Sequence, residues 1–220
     1  MFGDSPLSQA RPYRGPTVLK TPSACGAKEW NVNMVNDVEM VVLADRNGRP
    51  AGSAPKASIH TSNTPLHFAF SCFLLDERGK LLVTRRALSK KTWPGVWTNS
   101  FCGHPAPGET TLEAVERRNC QELGCEPGSL HGISAILPDF SYRAVDSSGI
   151  VENEICPVFV AHLKPGAALD PHPHEVDSHV WIDPEALIAA VNATPFAFSP
   201  WLVEELADTR LQEAILQKRA

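Results

Sequence analysis

Three histidines and two glutamates stand where they could together hold a metal ion. His60 and His67 are seven residues apart on either side of a proline-containing segment, and His104 follows a Cys-Gly dipeptide. Glu152 and Glu154 are two residues apart in IVENEICPV. This segment has the pattern of a strand, so both carboxylates would project from the same face. Three imidazoles and two carboxylates would make a mixed nitrogen and oxygen site suited to Mn²⁺, Mg²⁺ or Zn²⁺.

A second set of residues lies in NSFCGHPAPGETTLEAVERRNCQELGC, which reads as a strand end, a Gly-rich loop and a helix. It resembles the Nudix signature G-x5-E-x7-R-E-U-x-E-E-x-G-U, and the positions that match in register are Gly103, Glu109, Arg117, Glu122 and Gly124. Arg118 and Gln121 stand where the signature has glutamates, and Asn119 where it has an apolar residue. Hydrolytic Nudix enzymes use those glutamates to hold divalent cations. The arginine at position 118 therefore indicates that a side chain that binds a metal ion has been replaced by one that binds phosphate.

Length and composition limit the classes of protein that this chain can represent. Its 220 residues suit one domain, and 43% hydrophobic with 20% charged residues is an ordinary globular composition. The formal net charge of -5 predicts no nucleic-acid partner, although a local basic pocket is allowed. The apolar runs are too short to span a bilayer and no signal peptide is recognisable, so we expect a cytoplasmic protein with no membrane partner. Six cysteines are too sparse for a disulfide scaffold and are expected to be thiols.

The elements that must position these side chains follow from the apolar pattern and the turn signals. Residues 1–32 are rich in Pro, Gly and Ser and predict a flexible N-terminal extension, which leaves 33–220 as the folded domain. One hairpin is predicted at Arg46-Asn47-Gly48, and a second joins HFAFSCFLLD to KLLVTRR. Further strands surround the turn at residues 146–149, and HVWI is another.

Three segments predict helices. GETTLEAVERRNCQELG has Thr110 placed to cap and ends at Gly124, and DPEALIAAVNA opens with Asp183 as the cap. FSPWLVEELADTRLQEAIL predicts one terminal amphipathic helix. Because strands and helices are mixed with hairpin-length connections, we expect an α+β fold with a mixed sheet.

The run TRRALSKKTWPGVWTNSFCGHP, the segment from Tyr142 to Phe159 and TPFAFSPW near the C-terminus resemble the type I isopentenyl-diphosphate delta-isomerases. The similarity extends from about Val38 to Trp201. It implies a Nudix-like fold in which helices sandwich a mixed β-sheet. It also implies interconversion of isopentenyl and dimethylallyl diphosphate through a tertiary carbocation, with an allylic or homoallylic diphosphate as the small-molecule partner. These products supply C5 units for isoprenoid biosynthesis.

The same resemblance implies a role for each matching residue. Cys102 and Glu154 would transfer the two protons, Tyr142 would assist Glu154, and Trp201 would face the carbocation. The implied metal ligands are His60, His67, His104, Glu152 and Glu154. Glu122, with the Cys102 carbonyl and the substrate phosphates, would hold Mg²⁺. The residues implied to grip the diphosphate are Lys56, Arg86, Lys90 and Arg118.

The remaining residues of these types are interpreted as structural or solvated. This group comprises His131, His162, His172, His174, His179, Arg85, Lys91, Arg117, Trp93 and Trp97. The pair His172 and His174 has metal-like spacing but lies in a Pro-rich loop, so we interpret it as solvent-exposed.

Two alternatives remain open. A Nudix diphosphate hydrolase would share the fold and the charge of the substrate, but Arg118 and Gln121 disfavour it. A catalytically inactive binding protein would keep the fold as a sensor of metal or diphosphate. The sequence leaves the oligomeric state and the ion at the His/Glu site undecided.

Overall fold

The computed structural model of the chain describes residues 38–217, so the extension predicted at residues 1–32 lies outside the described residues. The strands are β1 Met40–Ala44, β2 Pro50–Pro55, β3 His67–Phe68, β4 Phe70–Leu75, β5 Leu81–Arg86, β6 Trp97–Thr98, β7 Phe101–Gly103, β8 Leu130–Leu137, β9 Ser141–Val145, β10 Val151–Ile155, β11 Val158–Leu163 and β12 Val176–Ile182. The α-helices are α1 Lys56–Ile59, α2 Thr111–Leu123, α3 Pro184–Ala193, α4 Pro200–Leu206 and α5 Thr209–Leu216, and a 3-10 helix spans Pro195–Ala197.

The strands form two mixed sheets. The first has the order β2-β1-β3-β10-β9, and the second follows β12-β5-β4-β11-β8 with β6 paired to β5 and β7 paired to β4. The pairs β3 with β10 and β4 with β11 are parallel, and the other pairs are antiparallel. The α+β class with a mixed sheet is thus confirmed.

The predicted hairpin of β4 and β5 opens beyond its turn. The two strands are paired at Leu75 and Leu81, and farther along they pair with β7 and β6 instead. Ser100 bridges the gap, since its hydroxyl accepts from the Leu74 N–H and donates to the Leu82 carbonyl, both at 2.7 Å. This opening brings Cys102 of β7 into the sheet, directly opposite Ser71 of β4.

Helix α2 forms for local reasons that the sequence shows. Thr110 and Glu113 make a capping box at its start, and Gly124 ends it in the left-handed conformation with φ 64°. Ala114 and Val115 are buried against the sheet. Arg118 and Glu122 are four residues apart and therefore lie on one face of the helix, where their charged groups form an ion pair.

The opposite face of the second sheet is covered by α3, α4 and α5. Leu187, Val191, Leu202, Leu211 and Ile215 are buried there. Burying each aliphatic side chain of this size contributes about 1.5–3 kcal/mol to folding. Helices therefore lie on both faces of the sheet, which confirms the expected sandwich.

One local expectation at the C-terminal end was wrong, and a second was confirmed only for the position of the residue. The single terminal helix is divided into α4 and α5, because the Asp208 carboxylate accepts from the Arg210 N–H and caps a new helix. Asp183 stands at the N-cap of α3, but its carboxylate accepts from Lys80 at 2.6 Å and makes no capping hydrogen bond. Among the described residues, no helix is long and apolar enough to cross a membrane.

Candidate active site

A cavity of about 530 Å³ brings the predicted site residues together. All of them line it except His67, which is fully buried behind it. A cavity of this size suits a small ligand. The residues around it come from distant segments: α1, β5, β7, α2, β9, β10 and α4.

The histidine cluster is built by strand register and two strand ends. Glu154 of β10 lies beside His67 of the parallel strand β3, and His104 follows the end of β7. His60 follows α1 directly. One nitrogen or oxygen from each of these four residues lies within 4.8 Å of the others. The four side chains could thus ligate a single ion.

Glu152 lies beside this four-residue group. Its Oε2 is 2.9 Å from His60 Nε2, and its Oε1 accepts from the Thr92 hydroxyl at 2.7 Å. The side chain is therefore held by Thr92 and directed at His60.

The unsatisfied polar atoms of the cluster fit a divalent cation. Among the described residues, the buried atoms His60 Nε2, His67 Nε2, His104 Nδ1 and Glu152 Oε2 make no hydrogen bond; His60 Nε2 and Glu152 Oε2 face each other at 2.9 Å without forming one. His67 Nδ1 lies 2.9 Å from the Pro65 carbonyl, which can only accept, so Nδ1 carries a proton and, in the neutral ring, Nε2 has the lone pair available to a metal ion. Buried polar atoms without partners are costly, and a cation would satisfy them. Ligands of this kind suit Mn²⁺, Mg²⁺ or Zn²⁺.

The charges of His104 and Glu154 favour the same interpretation, whereas at His67 the lowering effect of burial is outweighed by contacts with Glu154, which raise its pKa. Burial lowers the pKa of His104 to about 4, against the opposing effect of Glu154, so its ring is neutral at pH 7. Burial by itself would raise the pKa of Glu154, but contacts with His104 and His67 hold it well below its usual range. A neutral imidazole beside an ionised carboxylate is the state that binds a metal ion.

Tyr142 and Cys102 reach the cavity from different sheets. Tyr142 of β9 is directly opposite Glu154 of β10, so the two side chains share a face. Burial, reinforced by the charge of Glu154, raises the pKa of Tyr142 well above its usual value and keeps the phenol protonated. Burial also raises the pKa of the Cys102 thiol to about 12, with Glu122 adding to the shift. Cys102 is therefore a thiol in the absence of a base or substrate.

Trp201 closes one side of the cavity and is held in place by a hydrogen bond. Its Nε1 donates to Asn99 Oδ1 at 3.0 Å. Trp93 packs edge-on against it with 5.4 Å between ring centroids, and the Arg86 guanidinium lies 5.2 Å from its ring. Trp93 has a positive φ of 42°, a conformation that is strained for an aromatic residue. Sequence reasoning did not single out Asn99, and it treated Trp93 as packing only.

The basic side chains that line the cavity are matched by carboxylates or carbonyls. Lys56 donates to Glu39 at 2.8 Å, and Arg118 donates to Glu122 at 2.7 Å. Arg86 donates to the carbonyl of Thr92 at 2.9 Å. Each cation is thereby directed before an anion binds, and the two glutamates also partly neutralise Lys56 and Arg118.

Glu39 and Glu175 were missed by sequence reasoning. Glu175 contacts both Lys90 and Arg118. No local motif marks either glutamate, because each meets its partners through the tertiary fold.

The Nudix-like loop before α2 serves to place Arg118. A Cβ on Gly103 would lie 2.7 Å from Arg118 Cγ, so the absence of a side chain there lets the arginine pack against the loop. Arg117 donates to Glu109 at 2.7 Å and to the His104 carbonyl at 3.0 Å. Arg117 thus braces the loop, in agreement with its structural interpretation.

Comparisons with known proteins agree with this geometry. The NUDIX domain family matches residues 65–202. The isopentenyl-diphosphate Delta-isomerase of Corynebacterium glutamicum is 58% identical over 184 residues, which is 84% of this chain and 97% of that protein. The protein of the same name from Corynebacterium diphtheriae is 60% identical over 181 residues, or 82% of this chain and 98% of that protein.

Among solved structures, DR0079 from Deinococcus radiodurans aligns with a TM-score of 0.57 at 23% identity and covers 77% of this chain and 98% of its own. At that identity the likeness supports the fold alone. The extent and level of identity to the two corynebacterial proteins go further, and this chain belongs to the isopentenyl-diphosphate Delta-isomerase family, built on a NUDIX domain.

Proposed function

We propose that this protein interconverts isopentenyl diphosphate and dimethylallyl diphosphate. The observation that carries the proposal is one cavity lined at once by two proton-transfer candidates, an aromatic ring and a set of cations. Moving a double bond along a five-carbon chain requires one proton to be added and another removed. Cys102 and Glu154 approach the cavity from different sheets, which supports transfer on opposite faces of the substrate.

The protonation states of Cys102 and Tyr142 before the reaction follow from their pKa shifts. Cys102 begins as a thiol, since burial raises its pKa to about 12. Glu154 would exchange a proton with the substrate, and Tyr142, a neutral phenol on the residue directly opposite, would assist by donating a hydrogen bond to it. Because the reaction is reversible, each residue acts as acid in one direction and as base in the other.

The carbocation needs stabilisation without a nucleophile. Trp201 is 3% exposed, and its ring offers a π-face that attracts a cation but cannot add to it. Such a contact contributes about 2 kcal/mol when water is excluded. The hydrogen bond from Trp201 to Asn99 fixes the ring, so little reorganisation is needed during the reaction.

The substrate diphosphate would be bound by Lys56, Arg86, Lys90 and Arg118, which line the cavity. Guanidinium and ammonium donors suit phosphate oxygens. Glu122, 7% exposed and also in the lining, would hold a Mg²⁺ ion that accompanies the diphosphate.

A divalent cation at the His/Glu site would supply positive charge beside Glu154 and so increase its acidity. His60, His67, His104 and Glu154 would hold it, and Glu152 would complete the set through its contact with His60. We propose Mn²⁺, Mg²⁺ or Zn²⁺ for this position. We further propose the cytoplasm as its location, where Cys102 stays reduced.

The test is incubation with isopentenyl diphosphate and Mg²⁺, followed by proton and phosphorus NMR. We expect dimethylallyl diphosphate with the diphosphate intact and, in D₂O, deuterium in the product, because the added proton comes from an exchangeable group. Release of orthophosphate would identify a hydrolase. Binding of the diphosphate without turnover by the metal-loaded protein would indicate the inactive sensor. Either result would overturn the proposal.

A further inference from the structure

The loop between β11 and β12 packs against the C-terminal end of α2. The N–H groups of Asp170 and His172 donate to the carbonyls of Leu123 and Glu122, both at 2.9 Å, and so satisfy groups that a helix end leaves free. A Cβ on Gly124 would come within 2.0 Å of the Asp170 carbonyl oxygen, so the loop rests directly on the helix. The Pro-rich segment 164–175 is therefore tied to the helix that carries Arg118.

Glu175 ends this loop and joins two cations from separate parts of the chain. Its Oε1 lies 3.3 Å from Arg118 Nη2 in α2, and its Oε2 accepts from Lys90 Nζ in the segment that follows β5. Its backbone carbonyl accepts from the Ala87 N–H at 3.0 Å, which fixes the residue beside the end of β5. Burial by itself would raise the pKa of Glu175, but the charges of Arg118 and Lys90 hold it at about 2. The carboxylate is thus ionised at neutral pH.

Glu175 contacts both cations from outside the cavity lining. Lys90 and Arg118 are among the residues that line the cavity, and Glu175 is not. Two like charges brought to one site repel each other, and a fixed carboxylate with one oxygen for each cation offsets that repulsion and sets their spacing.

We propose that Glu175 is a positioning residue that holds Lys90 and Arg118 at the spacing at which they bind the substrate diphosphate. The inference rests on the function proposed above, and it adds a residue that does not touch the substrate. It also assigns a purpose to the loop 164–175, which connects Glu175 to the end of α2.

The variant Glu175→Gln tests this directly. An amide presents one acceptor and one donor, so one of the two cations would meet a donor where it now meets an oxygen. Binding of inorganic diphosphate with Mg²⁺, measured by calorimetry, is expected to weaken about tenfold, which corresponds to the loss of one hydrogen bond between charged groups. In steady-state kinetics we expect a similar rise in KM with kcat within about twofold, because ground-state and transition-state binding lose equally.

Asp177→Asn is the matched control. Asp177 lies two residues further along, and its carboxylate accepts from Arg85 at 3.0 Å, but neither residue lines the cavity. This variant is expected to bind inorganic diphosphate as the wild type does.

Diphosphate binding by E175Q that equals or exceeds that of the wild type would overturn the proposal. So would a fall in kcat and thermal stability at unchanged KM, which would indicate a structural role. If E175Q does not fold, Glu175→Asp replaces it: the charge is kept but the shorter side chain cannot reach both cations, and undiminished affinity would overturn the proposal. A wild type that binds diphosphate but does not isomerise would refute the proposed function, while the binding comparison would still test Glu175.

Discussion

The buried carboxyl of Glu205 is expected to make the free energy of unfolding depend on pH. Replacing this one residue should remove its contribution to that dependence. The residue lies in α4 with 0% of its surface exposed, and neither carboxyl oxygen has a hydrogen-bond partner among the described residues. Burial raises its pKa well above the usual value, and the nearby Ser71 hydroxyl offsets only part of this. Glu205→Gln keeps the size and polarity of the side chain and removes the titration.

The magnitude follows from proton linkage. Below the pKa of about 4.3 expected for an unfolded glutamate, the carboxyl is neutral in both states. Above it, the unfolded chain releases the proton while folded Glu205 retains it, so stability falls as pH rises towards the folded-state pKa. Over that window the wild type loses about 1.4 kcal/mol per pH unit relative to the variant.

Urea denaturation at pH 5, 6 and 7, followed by tryptophan fluorescence, measures this difference. We expect the free energies of unfolding of wild type and E205Q to diverge steadily, with the variant more stable at the higher pH. Glu213 of α5 is exposed, so Glu213→Gln is the control, and its values should stay nearly parallel to those of the wild type. Parallel curves for E205Q and wild type would refute the reasoning, because they would show that Glu205 ionises equally in both states.

Three further outcomes are expected. Cys102→Ala and Glu154→Gln should each lower isomerisation by at least about 10²–10⁴-fold with the circular dichroism spectrum unchanged, and near-normal turnover in either would show that the proton-transfer roles are misassigned. Gly124→Ala should lower the free energy of unfolding by more than the about 1–3 kcal/mol typical of a strained left-handed residue, because its Cβ would also meet the Asp170 carbonyl. Gly128→Ala has a similar φ of 72° and open space around it, so an equal loss in the two variants, measured by urea titration, would contradict the proposed contact. Chelation should abolish activity, and add-back of Mn²⁺, Mg²⁺ or Zn²⁺ should restore it; full turnover by the protein after metal analysis shows none remaining would exclude a metal requirement.

Much of the fold was predictable because its causes are local. Thr110 and Gly124 mark the ends of α2 through hydrogen bonds and a backbone conformation that depend on a few neighbouring residues. The Asn47-Gly48 turn between β1 and β2 is of the same kind. Where two local signals compete, the prediction was wrong or incomplete. Asp208 caps a new helix inside a segment whose apolar pattern is continuous, and Asp183 occupies the predicted N-cap position but accepts from Lys80 and makes no capping hydrogen bond.

The sequence by itself determined which residue types are available for the chemistry: the histidines and glutamates of the cluster, Cys102, and the arginine that departs from the hydrolase signature. Only the tertiary structure decided which carboxylates accompany the cations, since Glu39 and Glu175 meet Lys56, Lys90 and Arg118 across large separations in the chain. Spacing along a strand or helix reports which side chains share a face. It carries no information on which distant loop will pack against that face, because that choice depends on the burial and charge of the whole fold.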